Sequence, residues 1–258
     1  MNVSFIGSGN LAWHLAAALD NADYPVKEIY SHDPKNAEAL VGRLYHAQVQ
    51  TSLDFSLSPS QIFIMAVSDD VIVEVAQEII LPDHAILLHT SGSQPMSLLN
   101  FAAAERVGVM YPLQTFTKQK KIDLSEVPFF IESEDPETER TLLTMAKVIS
   151  RKVHKISSDE RKALHVAAVF ASNFTNHMLA ISRDIMNDNK LDFEYLKPLI
   201  AETINKSLSL GPDHAQTGPA KRGDLEILDK HIEFLQNDES VTEIYRVISQ
   251  HIVDRYSD

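Results

Sequence analysis

The sequence of 258 residues contains no cysteine, and this absence excludes several kinds of chemistry. Without thiols the chain can form no disulfide framework, offers no thiolate nucleophile and cannot bind a metal through cysteine. We expect no metal site. A chain without disulfides also fits a reducing compartment, so we expect a cytoplasmic protein.

Long apolar runs and basic residues are also scarce. No apolar run approaches the roughly 20 residues that a membrane span needs. Because the first strand pattern begins at residue 3, we expect no signal peptide. Lys and Arg number 23 against 36 Asp and Glu, giving a formal net charge of -13. Because this charge repels nucleic acids and anionic membrane surfaces, we expect neither as a partner.

The chain does contain an ordered alternation of strand and helix patterns. Residues 1–156 alternate short apolar strands with helices, which predicts a doubly wound, mostly parallel α/β sheet. Residues 157–258 show only helix patterns, which predicts a second, all-α domain. Strands are predicted at residues 3–6, 25–30, 61–67, 85–89, 107–110, 128–131 and 153–156. Helices are predicted after residues 68–70 and 90–93 and at 10–19, 36–44, 135–150, 157–186, 193–208, 225–236 and 241–256.

A glycine pattern, Gly7-Ser8-Gly9-Asn10-Leu11-Ala12, lies between the first strand and the first helix. Gly7 allows a tight turn, Gly9 lets a pyrophosphate approach the backbone, and Ala12 lets the helix pack closely on the strand. The helix N-terminus would donate its free N–H groups to the phosphates. We therefore predict a Rossmann dinucleotide-binding domain; an ordinary glycine-rich turn is the structural alternative. The predicted cofactor contacts here are Gly7, Ser8, Gly9, Asn10 and Leu11.

The residues that follow the second strand decide which dinucleotide fits. An acidic residue there would bind the ribose 2′-hydroxyl of NAD and repel the 2′-phosphate of NADP. Ser31 stands at this position instead, and Ser31, His32 and Lys35 could all donate to a phosphate, which favours NADP. Asp33 is the counter-argument, because a strand that ended two residues later would make it the ribose acid and select NAD.

Polar residues follow the next predicted strand, at the edge where open α/β sheets bind ligands. Val67 ends this strand, and Ser68 and Asp69 follow it. We predict cofactor contacts from all three. Asp69 could equally well cap the helix that follows, a structural role that needs no ligand.

The same edge continues after the two following strands. His89 is predicted to be catalytic and Ser91 to contact the cofactor, while Ser93 could serve only as a helix cap. Tyr111–Phe116 follows the next strand, and a proline beside polar residues indicates a shaped loop rather than a solvated one. We expect Gln114 in this loop to bind substrate.

The helix predicted at 157–186 carries a polar stripe at 3.6 residues per turn. Solvated faces are usually rich in Glu and Lys, whereas His, Ser and Asn suit a half-buried cleft. We therefore predict catalytic roles for His165 and Asn173 and a substrate contact for Asn176; a solvent-facing stripe is the alternative. His177, towards the apolar side, is expected to be a core histidine. The stripe consists of Lys162, His165, Ser172 and Asn176, with Asn173 beside it.

A second glycine cluster, Thr217–Asp224, joins two helices of the C-terminal domain. Arg222 in this cluster could clamp a substrate carboxylate with two hydrogen bonds. The alternative is that Gly223 and Asp224 only cap the following helix.

Together these residues resemble a family of Rossmann-like proteins with a C-terminal helical domain of unknown function. Its members are candidate NADP oxidoreductases related to pyrroline-5-carboxylate reductase and deazaflavin-dependent NADP oxidoreductase. The sequence departs from the family at His32, where an arginine is expected, and at Tyr111, where the family loop begins with histidine. The resemblance spans the whole chain and rests on Gly7–Asn10, His89–Ser93, Pro112–Phe116, His165 with Ala171–Asn173, and Thr217–Pro219 with Arg222–Asp224.

These patterns lead to the hypothesis of an NADP-dependent reductase that delivers hydride to a small keto or imino acid held between the two domains. His165 or His89 would donate a proton, Asn173 would orient the substrate, and Arg222 would bind its carboxylate. A non-catalytic, dinucleotide-binding regulatory protein is the alternative, because a fold does not establish turnover. We also expect a homodimer, because the helical domain shows larger apolar faces than it can bury alone.

Overall fold

The computed structural model describes residues 1–256, and its first part is built on one eight-stranded sheet. In chain order the strands are β1 Val3–Ile6, β2 Val26–Tyr30, β3 Gln48–Gln50, β4 Ile62–Met65, β5 Ile86–His89, β6 Arg106–Pro112, β7 Phe129–Glu132 and β8 Val153–Lys155. They lie in the order β3-β2-β1-β4-β5-β6-β7-β8. Every neighbouring pair is parallel except β6 and β7. The predicted doubly wound, mostly parallel sheet is confirmed.

Apolar side chains alternate between the two faces of the sheet, and helices cover each face. Ile62 and Ile64 of β4 belong to one apolar cluster, while Phe63 and Met65 belong to another. This period of two is the period of side-chain direction in a strand. The first cluster includes residues from α1 Asn10–Asp20, α2 Pro34–Val41 and α4 Pro136–Lys147, and the second includes residues from α3 Ile72–Glu78.

β7 is antiparallel because of the connection that precedes it. Parallel neighbours are usually joined by a helical crossover, but residues 113–128 contain only a short 3₁₀ turn at Leu124–Glu126. The chain therefore turns back beside β6, and its loop stays at the end of the sheet where the parallel strands finish. This loop carries several of the residues discussed below.

Two local elements differ from the sequence predictions. β3 was not predicted, because a short polar strand at the sheet edge has no apolar pattern to mark it. The helix expected after residues 90–93 is a 3₁₀ helix, Met96–Phe101, and Pro95 stands at its N-cap.

The predicted helix at 157–186 is not one regular helix. α5 Ser158–Ala168 passes into a π-helical turn at Val169–Phe174, and α6 Thr175–Asp188 follows it. A π-turn inserts extra residues, so positions beyond it are rotated from their places on a regular wheel. The predicted stripe is therefore broken before Asn176. His177 is exposed, and its assignment to the core was wrong.

The chain divides into two compact units, Met1–Asn173 and Phe174–Asp258. The division lies within the π-turn, later than the domain boundary predicted at residue 156, because α5 is anchored on the first unit by its buried Arg161. The predicted boundary itself stays a prediction. The second unit is helical, as predicted, and contains a 3₁₀ turn at Phe193–Leu196. Its helices are α6, α7 Lys197–Leu210, α8 Pro212–Ala215, α9 Pro219–Arg222, α10 Leu225–Leu235 and α11 Glu239–Tyr256.

None of the helices within residues 1–256 combines the length and the apolar character that crossing a membrane requires.

Candidate functional site

The turn between β1 and α1 has a backbone that requires glycine and leaves room for a ligand. Gly7 has a φ of 107°, and a Cβ there would lie 2.3 Å from the carbonyl oxygen of Ala66. At Gly9, which caps α1, no atom lies within 4 Å of the corresponding Cβ position, and no side chain caps the helix. The first N–H groups of an 11-residue helix therefore border open space, which suits an anionic phosphate.

A cavity of about 590 Å³ lies over this turn. Leu53, Val71 and Val75 are among the residues that border it, and their apolar side chains suit a flat ring. Of the predicted cofactor contacts, Leu11 is half-buried against the core, and Asp69 and Ser91 are not among the lining residues. The predicted contacts that do line the cavity are Gly7, Ser8, Gly9, Asn10, Ser31, His32, Val67 and Ser68.

The end of β2 is arranged for a phosphate rather than for a ribose hydroxyl. Ser8 Oγ donates to Ser31 Oγ over 2.9 Å, so two hydroxyl groups meet at the cavity wall. Asp33 caps α2 by accepting from the backbone N–H of Lys35 at 3.0 Å, and it does not line the cavity. The carboxylate that would have selected NAD thus has a structural role.

His89 ends β5 and is fully buried. Its Nδ1 accepts a hydrogen bond from the backbone N–H of Ser91 at 3.1 Å. Burial, together with the nearby Arg161 charge, lowers the pKa of His89 to about 4. The imidazole is therefore uncharged at neutral pH and accepts a hydrogen bond within the turn that carries Ser91, and the catalytic role predicted for His89 stays a prediction.

Asp69, Ser91 and Ser93 form a small polar cluster beside the same turn. The Ser91 hydroxyl accepts from the backbone N–H groups of Ser93 and Gln94 at 3.1 and 3.0 Å. The Ser93 hydroxyl donates to the exposed Asp69 carboxylate. These contacts stabilise the turn. Neither proposed cap role is found, because the N-cap position belongs to Pro95 in the 3₁₀ helix Met96–Phe101 and to Ser68 in the 3₁₀ turn Asp69–Val71.

Tyr111 and His165 form a hydrogen-bonded pair at the next strand end. Tyr111 Oη lies 3.1 Å from His165 Nδ1, and the rings meet edge to face with centroids 5.9 Å apart. The pair rests on Gly92, where a Cβ would lie 2.5 Å from His165 Nδ1 and 2.7 Å from Tyr111 Cζ. Burial raises the pKa of Tyr111, so the phenol keeps its proton at neutral pH.

A second cavity, of about 500 Å³, opens in front of this pair. Gln114 from the 113–128 loop and Asn173 from the π-turn line it together with Tyr111 and His165. Three of the residues predicted from sequence, Gln114, His165 and Asn173, are thus brought together. Tyr111, which sequence analysis placed only in the loop, supplies the phenol next to the imidazole.

Within residues 1–256, Arg161 is the one buried lysine or arginine, and sequence analysis did not identify it. Its Nη2 and Nε donate to Glu132 at 2.9 and 3.2 Å, and its Nη1 donates to the carbonyl oxygens of Ser91 and Gln94, both at 2.8 Å. It therefore ties α5 to β7 and to the turn after β5. Lys162, which belonged to the predicted stripe, is exposed. The capping box at Ser157 was the available signal, because it sets the phase of the helix that follows.

The remaining predicted site residues lie in the second unit. Arg222 is exposed and pairs with Asp224 at 3.3 Å, and Asn176 is exposed on α6. Gly223, in the left-handed region with a φ of 69°, ends α9, while Asp224 stands before α10 without a side-chain cap. The substrate contacts predicted for Asn176 and Arg222 stay predictions.

Two family descriptions match separate parts of the chain. Residues 2–91 match the family described as NADP oxidoreductase, coenzyme F420-dependent. Residues 127–252 match a domain of unknown function, DUF2520. A search of the curated proteins found no significant match.

Solved structures extend the comparison to the whole chain. A candidate NADP oxidoreductase from Bacteroides fragilis is 36% identical over 98% of each chain, with a TM-score of 0.91. Two more distant structures share the fold. Pyrroline carboxylate reductase from Plasmodium falciparum, solved with NADP bound, is 16% identical over 98% of each chain with a TM-score of 0.60. An imine reductase from Myxococcus stipitatus, in complex with NADP+, is 12% identical over 100% of each chain with a TM-score of 0.69.

The glycine turn, the paired serine hydroxyls and the full-length match in Bacteroides fragilis agree on the cofactor. The chain therefore belongs to the family of NADP oxidoreductases in which a dinucleotide-binding domain is followed by a DUF2520 domain.

Proposed function

We propose that the protein is a reductase that uses NADPH to reduce the C=N or C=O bond of a small imino or keto acid. The observation that carries this proposal is the Tyr111–His165 pair, which borders a cavity beside the strands that form the dinucleotide site. Pyrroline carboxylate reductase and imine reductases, which share the fold, reduce bonds of this kind by name, and they support the choice of substrate class.

The order of strands supports the placement of the two reactants. The dinucleotide cavity lies at the ends of β2, β1 and β4, while Tyr111 ends β6, two strands beyond β4. Neighbouring strands are about 4.8 Å apart, so this separation is on the order of 10 Å. A dinucleotide that extends along the edge from β2 would direct its far end towards β5, with the second cavity next to it.

The residues present fit the cofactor. The hydroxyls of Ser8 and Ser31 would bind a phosphate, and the open backbone at Gly9 would accept the pyrophosphate. NADPH, when bound, would supply the hydride. The rest of the reaction falls to protein groups, which must hold the substrate and deliver one proton to its nitrogen or oxygen as the carbon receives the hydride.

The Tyr111–His165 pair has a proton to give in either arrangement of its hydrogen bond. When Tyr111 donates to Nδ1 of the neutral imidazole, the remaining imidazole proton is on Nε2. When Nδ1 carries the imidazole proton and donates to Oη, the phenol proton is free instead. Histidine is the side chain that most often acts as a general acid, so we assign the proton donation to His165, supported by Tyr111. His89 is buried and uncharged, which makes it the weaker of the two predicted donors.

Amide side chains in the same cavity would orient the substrate. Gln114 and Asn173 offer both donors and acceptors. Arg222 keeps its predicted role as the residue that binds the substrate carboxylate, and Asn176 its predicted substrate contact. We therefore propose that the substrate binds between the Rossmann domain and the helical domain.

A homodimer is part of the same proposal. Val166 and Phe170 expose half or more of their surface on α5 and the π-turn. The second unit has its own apolar cavity of about 350 Å³, bordered by Ile181, Ile185 and Ile248 among others. Apolar surfaces of this kind are commonly buried between subunits. Light scattering at micromolar concentration should give twice the chain mass, and a monomeric mass would contradict this part.

An NADPH oxidation assay with a panel of keto and imino acids tests the proposed reaction. We expect consumption of NADPH with at least one imino or keto acid and none without substrate. Binding of NADPH without consumption by any member of the panel would refute the reductase and favour the non-catalytic alternative. Equimolar product and NADP+, measured chromatographically, would exclude a side reaction with oxygen.

A further inference from the structure

One side chain of the dinucleotide cavity comes from outside the glycine motif and its neighbouring strands. Lys118 lies in the 113–128 loop and lines the cavity, half-buried. Its Nζ is 5.0 Å from the centroid of the Trp13 ring on α1, within the range of a cation–π contact. Trp13 lies less than one turn after Asn10, where α1 begins. Lys118 is therefore next to the helix end that would receive the phosphates.

The loop that carries Lys118 is fastened to the same helix. His14 Nε2 and the carbonyl oxygen of Thr117 are 2.8 Å apart. The His14 ring also lies 5.8 Å from the ring of Phe116, which packs against the core. Because two successive residues next to Lys118 are held on α1, its position over the N-terminal half of that helix is set by the fold rather than by the long side chain alone.

The charges around the cavity show why the position of Lys118 matters for an anionic ligand. Among the residues that border it within the described part of the chain, Glu74 and Glu78 are acidic and Lys118 is the one lysine or arginine. A dinucleotide brings an anionic pyrophosphate, and NADP adds a 2′-phosphate, into a protein of formal net charge -13. Arg43 is also near Trp13, but it donates to the Trp13 carbonyl oxygen at 2.6 Å and does not line the cavity.

We propose that Lys118 is a phosphate-binding residue of the dinucleotide site, pairing its ammonium group with a phosphate of the cofactor. The proposal rests on the cofactor that the proposed function requires, but not on the substrate or on turnover. The pyrophosphate and the 2′-phosphate offer the same chemistry to an ammonium group, and binding of the two dinucleotides separates them. NADH has only the pyrophosphate.

Trp13 provides a direct measurement, because it is the single tryptophan of the sequence and its ring contacts Lys118, which lines the cavity. Titration of its fluorescence with NADPH and with NADH gives two dissociation constants without any turnover. A charge-assisted contact makes Lys118→Gln about tenfold to a hundredfold weaker in binding. Loss of NADPH and NADH affinity together assigns Lys118 to the pyrophosphate, and loss of NADPH affinity alone assigns it to the 2′-phosphate.

Two further variants control the experiment. Lys120→Gln removes an exposed lysine of the same loop and should leave both dissociation constants within about twofold. Lys118→Arg keeps the charge and should retain most of the affinity. Added salt should weaken binding by the unmodified protein more than binding by Lys118→Gln, because salt screens the lost charge pair. Equal thermal unfolding temperatures would establish that both lysine-to-glutamine variants are folded.

Unchanged affinity of Lys118→Gln for both dinucleotides would overturn the proposal, as would an equal loss in Lys120→Gln. Either result would leave the proposed reductase standing, because the glycine turn and Ser31 could still hold the cofactor. Failure of the unmodified protein to bind either dinucleotide would refute both proposals together. If Lys118→Gln is unstable, the Lys118→Arg variant and the salt dependence of binding by the unmodified protein test the proposal instead. Dinucleotide affinity that does not change with salt would overturn it.

Discussion

Tyr111 at the end of β6 and His165 in α5 are 54 residues apart in the sequence, and their Oη and Nδ1 atoms are 3.1 Å apart in the structure. The contact joins the sheet edge to the first part of the long helical segment. It also places a phenol and an imidazole at the wall of one cavity.

Replacement of His165 by alanine should lower turnover by about a hundredfold to ten-thousandfold, the usual contribution of a positioned acid. NADPH affinity should change little, because His165 does not line the dinucleotide cavity. Steady-state kinetics and a binding titration measure the two effects separately. Lys162→Ala, on the exposed side of the same helix, is the control and should keep full turnover. Normal turnover in His165→Ala would remove the pair from the mechanism.

Gly92→Ala tests the support of the pair. The added Cβ would lie 2.5 Å from His165 Nδ1, so the imidazole and the phenol must both move. We expect a loss of about 1–3 kcal/mol in the free energy of unfolding, typical of overpacking, and a larger fractional loss of turnover than of NADPH affinity. Denaturant unfolding and kinetics provide the data. Gly42→Ala, whose Cβ would meet its nearest atom at 3.5 Å, should be neutral or slightly stabilising.

Gly9→Asp should abolish dinucleotide binding in a folded protein. The position has an ordinary φ of -70° and open space around its Cβ, so an aspartate strains nothing in the free protein. Its carboxylate would nevertheless occupy the place of the pyrophosphate and repel that group. Fluorescence titration measures binding, and circular dichroism verifies the fold. Gly9→Ala should weaken binding less, because it adds bulk without charge, and unchanged binding by Gly9→Asp would remove the nucleotide site from this turn.

Ser31→Glu should reverse the preference between the two dinucleotides. In the unmodified protein NADPH should bind more tightly than NADH, because Ser8 and Ser31 present hydroxyls to the 2′-phosphate and Asp33 is occupied as the cap of α2. A glutamate at position 31 would repel that phosphate and accept from the ribose hydroxyl of NADH. The ratio of the two dissociation constants decides, and Asp33→Asn should leave this ratio nearly unchanged. Equal affinities before any substitution would contradict the assignment.

His89 should make the protein less stable in mild acid. Its pKa is about 4 in the folded protein and near 6.5 in an unfolded chain, so the unfolded chain binds the extra proton between these values. Stability contributed by the neutral imidazole is present above pH 6.5 and is lost as the pH falls towards 4. His89 alone should account for about 2 kcal/mol of the difference in unfolding free energy between pH 7 and pH 5.

Urea unfolding of His89→Asn at both pH values measures this share. Asparagine can still accept from the backbone N–H of Ser91 but does not titrate. The variant should therefore lose less stability between pH 7 and pH 5 than the unmodified protein, because any contribution from carboxylates is the same in both proteins. An identical pH dependence in the two proteins would show that His89 does not titrate in this range.

Much of the fold could be predicted because its signals are local. The strands and helices of the first 150 residues have apolar periods of two and 3.6, and these periods depend only on neighbours along the chain. β3 was not predicted, because it is polar and lies at the sheet edge. The antiparallel β7 and the π-turn were also not predicted, because both depend on how a loop or a helix is accommodated by residues far away in sequence.

The candidate site divides in the same way. The turn at Gly7 and the serine at the end of β2 could be identified from sequence, because a phosphate site built on a strand, a turn and a helix is contained within one short segment. His165 was identified from its residue type and helical phase. Tyr111, Arg161 and Lys118 were not assigned their contacts, because each meets its partner from a distant element.

The order of strands and helices and the glycine turn were determined by the sequence alone, because backbone preferences and hydrophobic periodicity act over a few residues. The partners of the buried and charged side chains were decided only by the tertiary structure. Folding brings Arg161 to Glu132 and to the carbonyl groups after β5, and burial then leaves His89 uncharged. These interactions depend on bringing distant segments together and on removing water from the charged groups, and a local sequence pattern contains information on neither.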